Sequence, residues 1–137
     1  MDTAAEAGVD DVAVVGVDGE TSEAFAFRQT VDGVAENPGS VVVDGDAVWV
    51  GDWSAPQVTR LSAVGPPRIR PIRLPGGTAG VWNIAVGGPA IWAVTPDDDA
   101  VWRIDATSSA VSRVNLPYRP TGVTADATNV WVTVRGR

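Results

Sequence analysis

The sequence has no cysteine and no histidine. Without cysteine there is no disulfide framework, no zinc site built on thiolates and no cysteine nucleophile. Without histidine, the commonest metal ligand and the usual general base near neutral pH are both missing. Lysine is absent too, and all ten basic residues are arginine. The serines at 40, 54, 62, 108, 109 and 112 therefore have neither His nor Lys to activate them. No catalytic residue, metal ligand or cofactor site is assigned. Long apolar runs are missing as well. None approaches the roughly 20 residues of a membrane-spanning helix. Met1–Glu6 carries neither the basic segment nor the apolar core of a signal peptide. No stretch of about 11 residues shows the 3.6-residue apolar period of a helix. Glycine and proline supply 15 and 10 residues, so an all-β structure rich in turns is expected.

The 137 residues are one ordinary domain by length, and 45% are hydrophobic, enough for a core. The formal net charge of −7 disfavours nucleic acid as a partner. That charge is uneven. Residues 1–52 hold twelve of the seventeen acids against Arg28 alone, and residues 53–137 hold five acids against nine arginines. Such a split suits contact between acidic and basic faces of two copies, although a solvated surface is the simpler reading.

What the sequence does contain is a repeat. Ala47-Val48-Trp49-Val50-Gly51-Asp52 returns as Ala90-Ile91-Trp92-Ala93-Val94 and as Asn129-Val130-Trp131-Val132-Thr133, with the Trp residues 43 and then 39 positions apart. A period near 40–45 residues belongs to propeller blades. Register agrees beyond the Trp. Arg60 and Arg103 each follow their Trp by 11 positions, and Leu74-Pro75 recurs as Leu116-Pro117.

Taken in order, residues 1–10 are small and acidic and are expected to fray. Strands are expected from Val12 and from Glu23 to Val31, joined at the Asp18-Gly19-Glu20 turn. A first whole blade spans 39–80: Val41–Val43, the Asp44-Gly45-Asp46 turn, Ala47–Val50, Gln57–Leu61 and Arg68–Leu74. Pro71 has no N–H, so its strand belongs at an edge. A second blade spans 81–120 with strands from Asn83, Ala90, Ala100 and Ala110. A final pair starts at Gly122 and ends near Val134. The expected fold is a β-propeller segment over 11–137, made of four-stranded antiparallel blades in about three blade equivalents. It comprises an outer half-blade (11–38), two blades and an inner half-blade (121–137). Rings close with about 4–8 blades, so one chain makes an incomplete ring. A homodimer whose half-blades complete each other is one solution. A piece of a longer ring and an open arc are the others.

The units Val-x-Asp-Gly-x-Ala-Val-Trp-Val and Val-Trp-Arg-Ile-Asp-Ala-Thr, at Ala47–Asp52, Val58–Leu61, Ala90–Thr95, Val101–Thr107 and Asn129–Thr133, resemble YVTN-type repeats and the streptogramin-lyase-like bacterial propellers. The resemblance is good over residues 40–134 and loose over 11–31. It implies a piece of a six- or seven-bladed propeller and an extracytoplasmic binding or sensor role. In the lyase branch it implies a His base with a metal ion, which no position here can supply. WD repeats fit less well, because Asp52-Trp53 reverses their Trp-Asp and no Gly-His is present.

Trp49, Trp92 and Trp131 hold equivalent positions and are expected to pack between neighbouring blades, with Trp102 as a further filler. Trp53 and Trp82 break the repeat. In an up-and-down blade the second-to-third-strand loops and the blade-to-blade loops share one rim. That rim gathers Asp52, Trp53, Trp82, Asp97, Asp98, Tyr118 and Arg119 as a candidate ligand surface. The plainer alternative is a set of turn residues and apolar caps. Asp97-Asp98-Asp99 lacks the spacing of a calcium loop. Arg68, Arg70 and Arg73 fall on an edge strand, where charge blocks edge-to-edge pairing. The sequence therefore points to a non-catalytic binding or interaction module. A fragment of a metal-dependent lyase and a purely structural repeat segment are the alternatives.

Overall fold

The computed structural model describes residues 14–18, 26–62 and 64–136, with side chains described from Val31 onward. The expectations for residues 1–13 and 19–25 lie outside that range. Twelve strands are described: β1 (Val14–Asp18), β2 (Ala26–Val31), β3 (Pro38–Asp44), β4 (Ala47–Asp52), β5 (Gln57–Ser62), β6 (Ile69–Arg73), β7 (Asn83–Gly87), β8 (Ala90–Thr95), β9 (Ala100–Asp105), β10 (Val111–Asn115), β11 (Arg119–Ala125) and β12 (Val130–Arg135). They form sheets of two, four, four and two strands: β1-β2, β3-β4-β5-β6, β7-β8-β9-β10 and β11-β12. Every pairing is antiparallel. This is the all-β, four-stranded blade plan of a propeller, in an open arc. One short departure appears. Pro96–Asp98 makes a single 3-10 turn between β8 and β9, because Pro96 presets its φ and Asp99 closes the turn onto the Pro96 carbonyl.

β3, β7 and β11 are the first strands of successive sheets, and β7 lies against both β3 and β11. Each sheet therefore leads its neighbour through its inner strand, as blades do around an axis. The connections repeat in detail. Gly33 and Gly76, 43 positions apart, take φ of 77° and 78°, a left-handed conformation that a side chain resists. The residues two positions before them, Val31 and Leu74, are both buried. The β1-β2 pair thus leads into β3 as β5-β6 leads into β7.

Among the described residues, two cores follow from this plan. The larger lies between the two complete sheets. Trp49, Val58, Ile72 and Leu74 from one side meet Ile84, Ile91, Ala93, Trp102 and Ile104 from the other. Strand alternation puts Trp49 opposite Val42 and Arg60 on the face toward the second blade, and Trp102 opposite Ala93 on the face toward the first. Arg60 stacks 5.8 Å from the Trp49 ring and Arg113 5.0 Å from the Trp102 ring. The Trp102 indole N–H donates to Thr95 Oγ1 at 2.9 Å inside the core. The smaller core joins Val31 and Val34 to Val50 and Leu61.

The repeated Trp residues share a position but not an environment. Trp49 is completely buried, Trp92 is half-buried and Trp131 is 67% exposed. Core packing was expected for all three and holds only for Trp49. Each Trp points to the following blade. Trp49 has four strands beyond it and Trp92 has two. Among the described residues, Trp131 has none.

Candidate functional site

The rim loops meet as the strand order requires, and backbone hydrogen bonds tie them together. Trp53 N–H donates to the Asn37 carbonyl, Val81 N–H to that of Asp52, Leu74 N–H to that of Pro56 and Leu116 N–H to that of Asp99. Each bond joins a second-to-third-strand loop to a blade-to-blade connection. Residues from five separate loops therefore share one edge of the arc.

Asp52 ends β4 and is only 3% exposed. Its carboxylate accepts the Ser54 amide at 2.8 Å, the Ser54 hydroxyl at 2.7 Å and the Glu36 amide at 3.3 Å. A buried carboxylate needs such donors, and these three close the 52–54 turn onto the 32–37 loop. Asp52 thus shapes the rim from beneath instead of facing a ligand.

Asp98 is built similarly. It accepts the Thr78 amide at 3.0 Å and the Ala79 amide at 3.1 Å, and the Thr78 hydroxyl donates to its other oxygen. Partial burial pushes its carboxyl up. The bonds from Thr78 and Ala79 and the Arg113 charge outweigh that and hold it below the ordinary aspartate value. Asp97 is exposed and forms an ion pair with Arg119.

The aromatic residues differ from the acids in facing outward. Trp53 is 63% exposed, Trp82 50% and Tyr118 49%. Trp53 is nonetheless fixed in place. A Cβ at Gly39 would lie 2.1 Å from its indole nitrogen, and a Cβ at Gly80 would lie 1.7 Å from its carbonyl oxygen. The ring is laid on Gly39 and its backbone against Gly80, because only glycine leaves that space. The Trp82 carbonyl accepts the Ser40 hydroxyl at 3.2 Å, and the Arg119 guanidinium sits 5.4 Å from its ring centre.

Rim residues that the sequence reading missed are supporting ones: Gly39, Gly80, Ser40, Thr78 and Arg113. Gly80 had a readable signal, since it stands in a connection two positions before the non-repeating Trp82; Gly39, inside β3 and far from Trp53 in sequence, had none. Arg113 had none. It stacks on Trp102 and reaches the Gly76 and Asp98 carbonyls at 3.4 and 3.2 Å through folding alone.

Blade plan, shared rim and twelve antiparallel strands together define a β-propeller segment. No protein-family model matches the chain, and no curated protein is close enough in sequence to match. Solved structures do match. Virginiamycin B lyase from Staphylococcus aureus superposes with a TM-score of 0.69 at 20% identity, over 88% of this chain and 41% of that one. A streptogramin B lyase structure superposes with a TM-score of 0.63 at 22% identity, over 80% and 38%. A catalytically inactive variant of the Staphylococcus aureus enzyme with quinupristin gives 0.65 at 18% identity. The chain has the fold of the streptogramin-lyase propellers and spans about two fifths of their length.

Proposed function

We propose that this chain is a non-catalytic propeller module that binds a ligand through the aromatic rim, as part of a larger propeller or sensor assembly. One observation carries the reading. Three large aromatic residues face solvent on one rim, while the carboxylates of Asp52 and Asp98 are taken up by amides and hydroxyls of the loops they hold. Exposed rings, of which Trp53 is laid on Gly39, offer flat apolar area at little cost in conformational entropy. The Asp97–Arg119 pair beside Trp82 adds polar contacts that orient a ligand. A ligand with planar or apolar groups bearing a few polar substituents fits this surface. Replacing Trp53 and Trp82 with Ala is expected to abolish binding in a panel of aromatic peptides and depsipeptides that includes quinupristin, read by calorimetry. Binding that survives both replacements unchanged would sink the reading.

The likeness to lyases favours a second reading, in which the segment belongs to a lyase whose reacting groups stand on other blades. Turnover of quinupristin by a longer chain that adds further blades, with none by these 137 residues alone, both followed by chromatography, would favour that reading over a binding module.

A further inference from the structure

Among the described residues, three open places complement one another. The first is the outward face of β11-β12. Trp131 stands there opposite Thr124, and Gly122 opposite Thr133, on the side away from the second blade. Trp131 is 67% exposed beside a shallow depression whose lining includes Gly122, Thr124 and Thr133. The second is the inner strand of the first blade. Val41 and Val43 are 56% and 65% exposed. Their partners across the ladder, Val50 and Val48, pack with Val31 and Val34. The β1-β2 pair thus covers the outer part of that face and leaves its inner part bare. The third is a cleft beside Trp92, bounded by Arg103 and by residues 126–130. At the equivalent place beside Trp49, the third strand of the next blade delivers Trp102.

We infer that a second copy of this chain completes all three, in a closed two-fold ring of six blades. β1-β2 of the second copy joins the free edge of β12, so that an inner and an outer half-blade form one four-stranded sheet. That sheet turns one face to the Trp92 cleft. Its other face carries Trp131 onto Val41 and Val43 of the second copy, as Trp49 is carried onto the second blade within the chain. A six-bladed ring lies within the range that propellers adopt. The two-fold axis makes every contact twice, so each gain counts double.

Charge selects the same pairing. Residues 11–32 hold five acids against Arg28 alone, and residues 119–137 hold three arginines against Asp126 alone. Joining the first segment to the last therefore combines sequences of opposite net charge. Pairing either segment with its own kind sets like charges side by side. Trp is also the residue type that dominates association energies, and Trp131 is exposed. The inference does not depend on what the rim binds.

Light scattering on the purified chain over a concentration series tests this directly. The expected result is a stable mass twice the 14.2 kDa of one chain. Trp131→Glu and Val43→Glu alter residues that are exposed in the single chain, so far-UV circular dichroism should remain that of the wild type. Each is expected to weaken the dimer by at least about 30-fold, the size of an interface hot spot. A monomer at all concentrations overturns the inference, as does a mass that keeps growing with concentration. A dimer indifferent to both substitutions overturns it too.

Discussion

The two fully buried Trp residues of the larger core allow a controlled comparison. Trp49 and Trp102 fill one interface from opposite sides, and each lies beneath an arginine. They differ at the indole nitrogen. Trp102 N–H donates to the Thr95 hydroxyl at 2.9 Å, whereas Trp49 Nε1 has no acceptor among the described residues. Replacing either with Phe removes the same volume from the same core, so the packing loss is common to both. Trp102→Phe also leaves the completely buried Thr95 hydroxyl without its donor. A buried polar group stripped of its partner costs about 1–3 kcal/mol. Trp49→Phe instead removes a donor that the protein leaves unpaired. Trp102→Phe is therefore expected to lose about 1–3 kcal/mol more than Trp49→Phe. Urea unfolding with a shared slope resolves such a difference as a shift of midpoint. Adding Thr95→Val to Trp102→Phe should recover part of the loss, because removing both partners is nearly neutral. Equal losses for the two single variants, or no recovery in the double variant, would refute the hydrogen-bond argument.

Two further perturbations probe the rim. Asp98 has its folded pKa depressed, so its contribution to stability is complete above the ordinary aspartate value. That contribution is lost as pH falls through the lower folded value. Asp98→Asn should accordingly cost stability at neutral pH and progressively less below about pH 4, measured as unfolding midpoint against pH. A difference that persists unchanged into strong acid contradicts this. Gly80→Ala drives a Cβ into the Trp53 backbone and should cost about 1–3 kcal/mol. Gly39→Ala meets only the exposed Trp53 ring, so it should shift tryptophan fluorescence with a smaller change in stability. The reverse ranking would mean that the glycine seats are misassigned.

Much of the fold was legible because it is periodic. A strand has a two-residue period and a blade a period near 43, so Trp49, Trp92 and Trp131 announced the sheets, their order and their shared register. The rim was legible as topology. Alternate loops of an up-and-down sheet must share an edge, and Trp53, Trp82, Asp97 and Arg119 do so. Not legible was what each rim residue does there. Asp52 and Asp97 read alike as loop acids, yet one lies beneath the loops and the other faces solvent. The difference comes from the Ser54 amide of the same turn as Asp52 and the Glu36 amide of the 32–37 loop, which fold onto Asp52 within 3.3 Å.

The same division holds for the molecule as a whole. Local sequence determined strand positions, turn glycines and the alternation of faces, because those depend on residues a few positions apart. Tertiary structure decided burial, because burial depends on what stands beyond a face. Three tryptophans in one repeat position range from fully enclosed to two-thirds exposed. The cause is the number of strands in the next sheet, a quantity that none of the three local sequences contains.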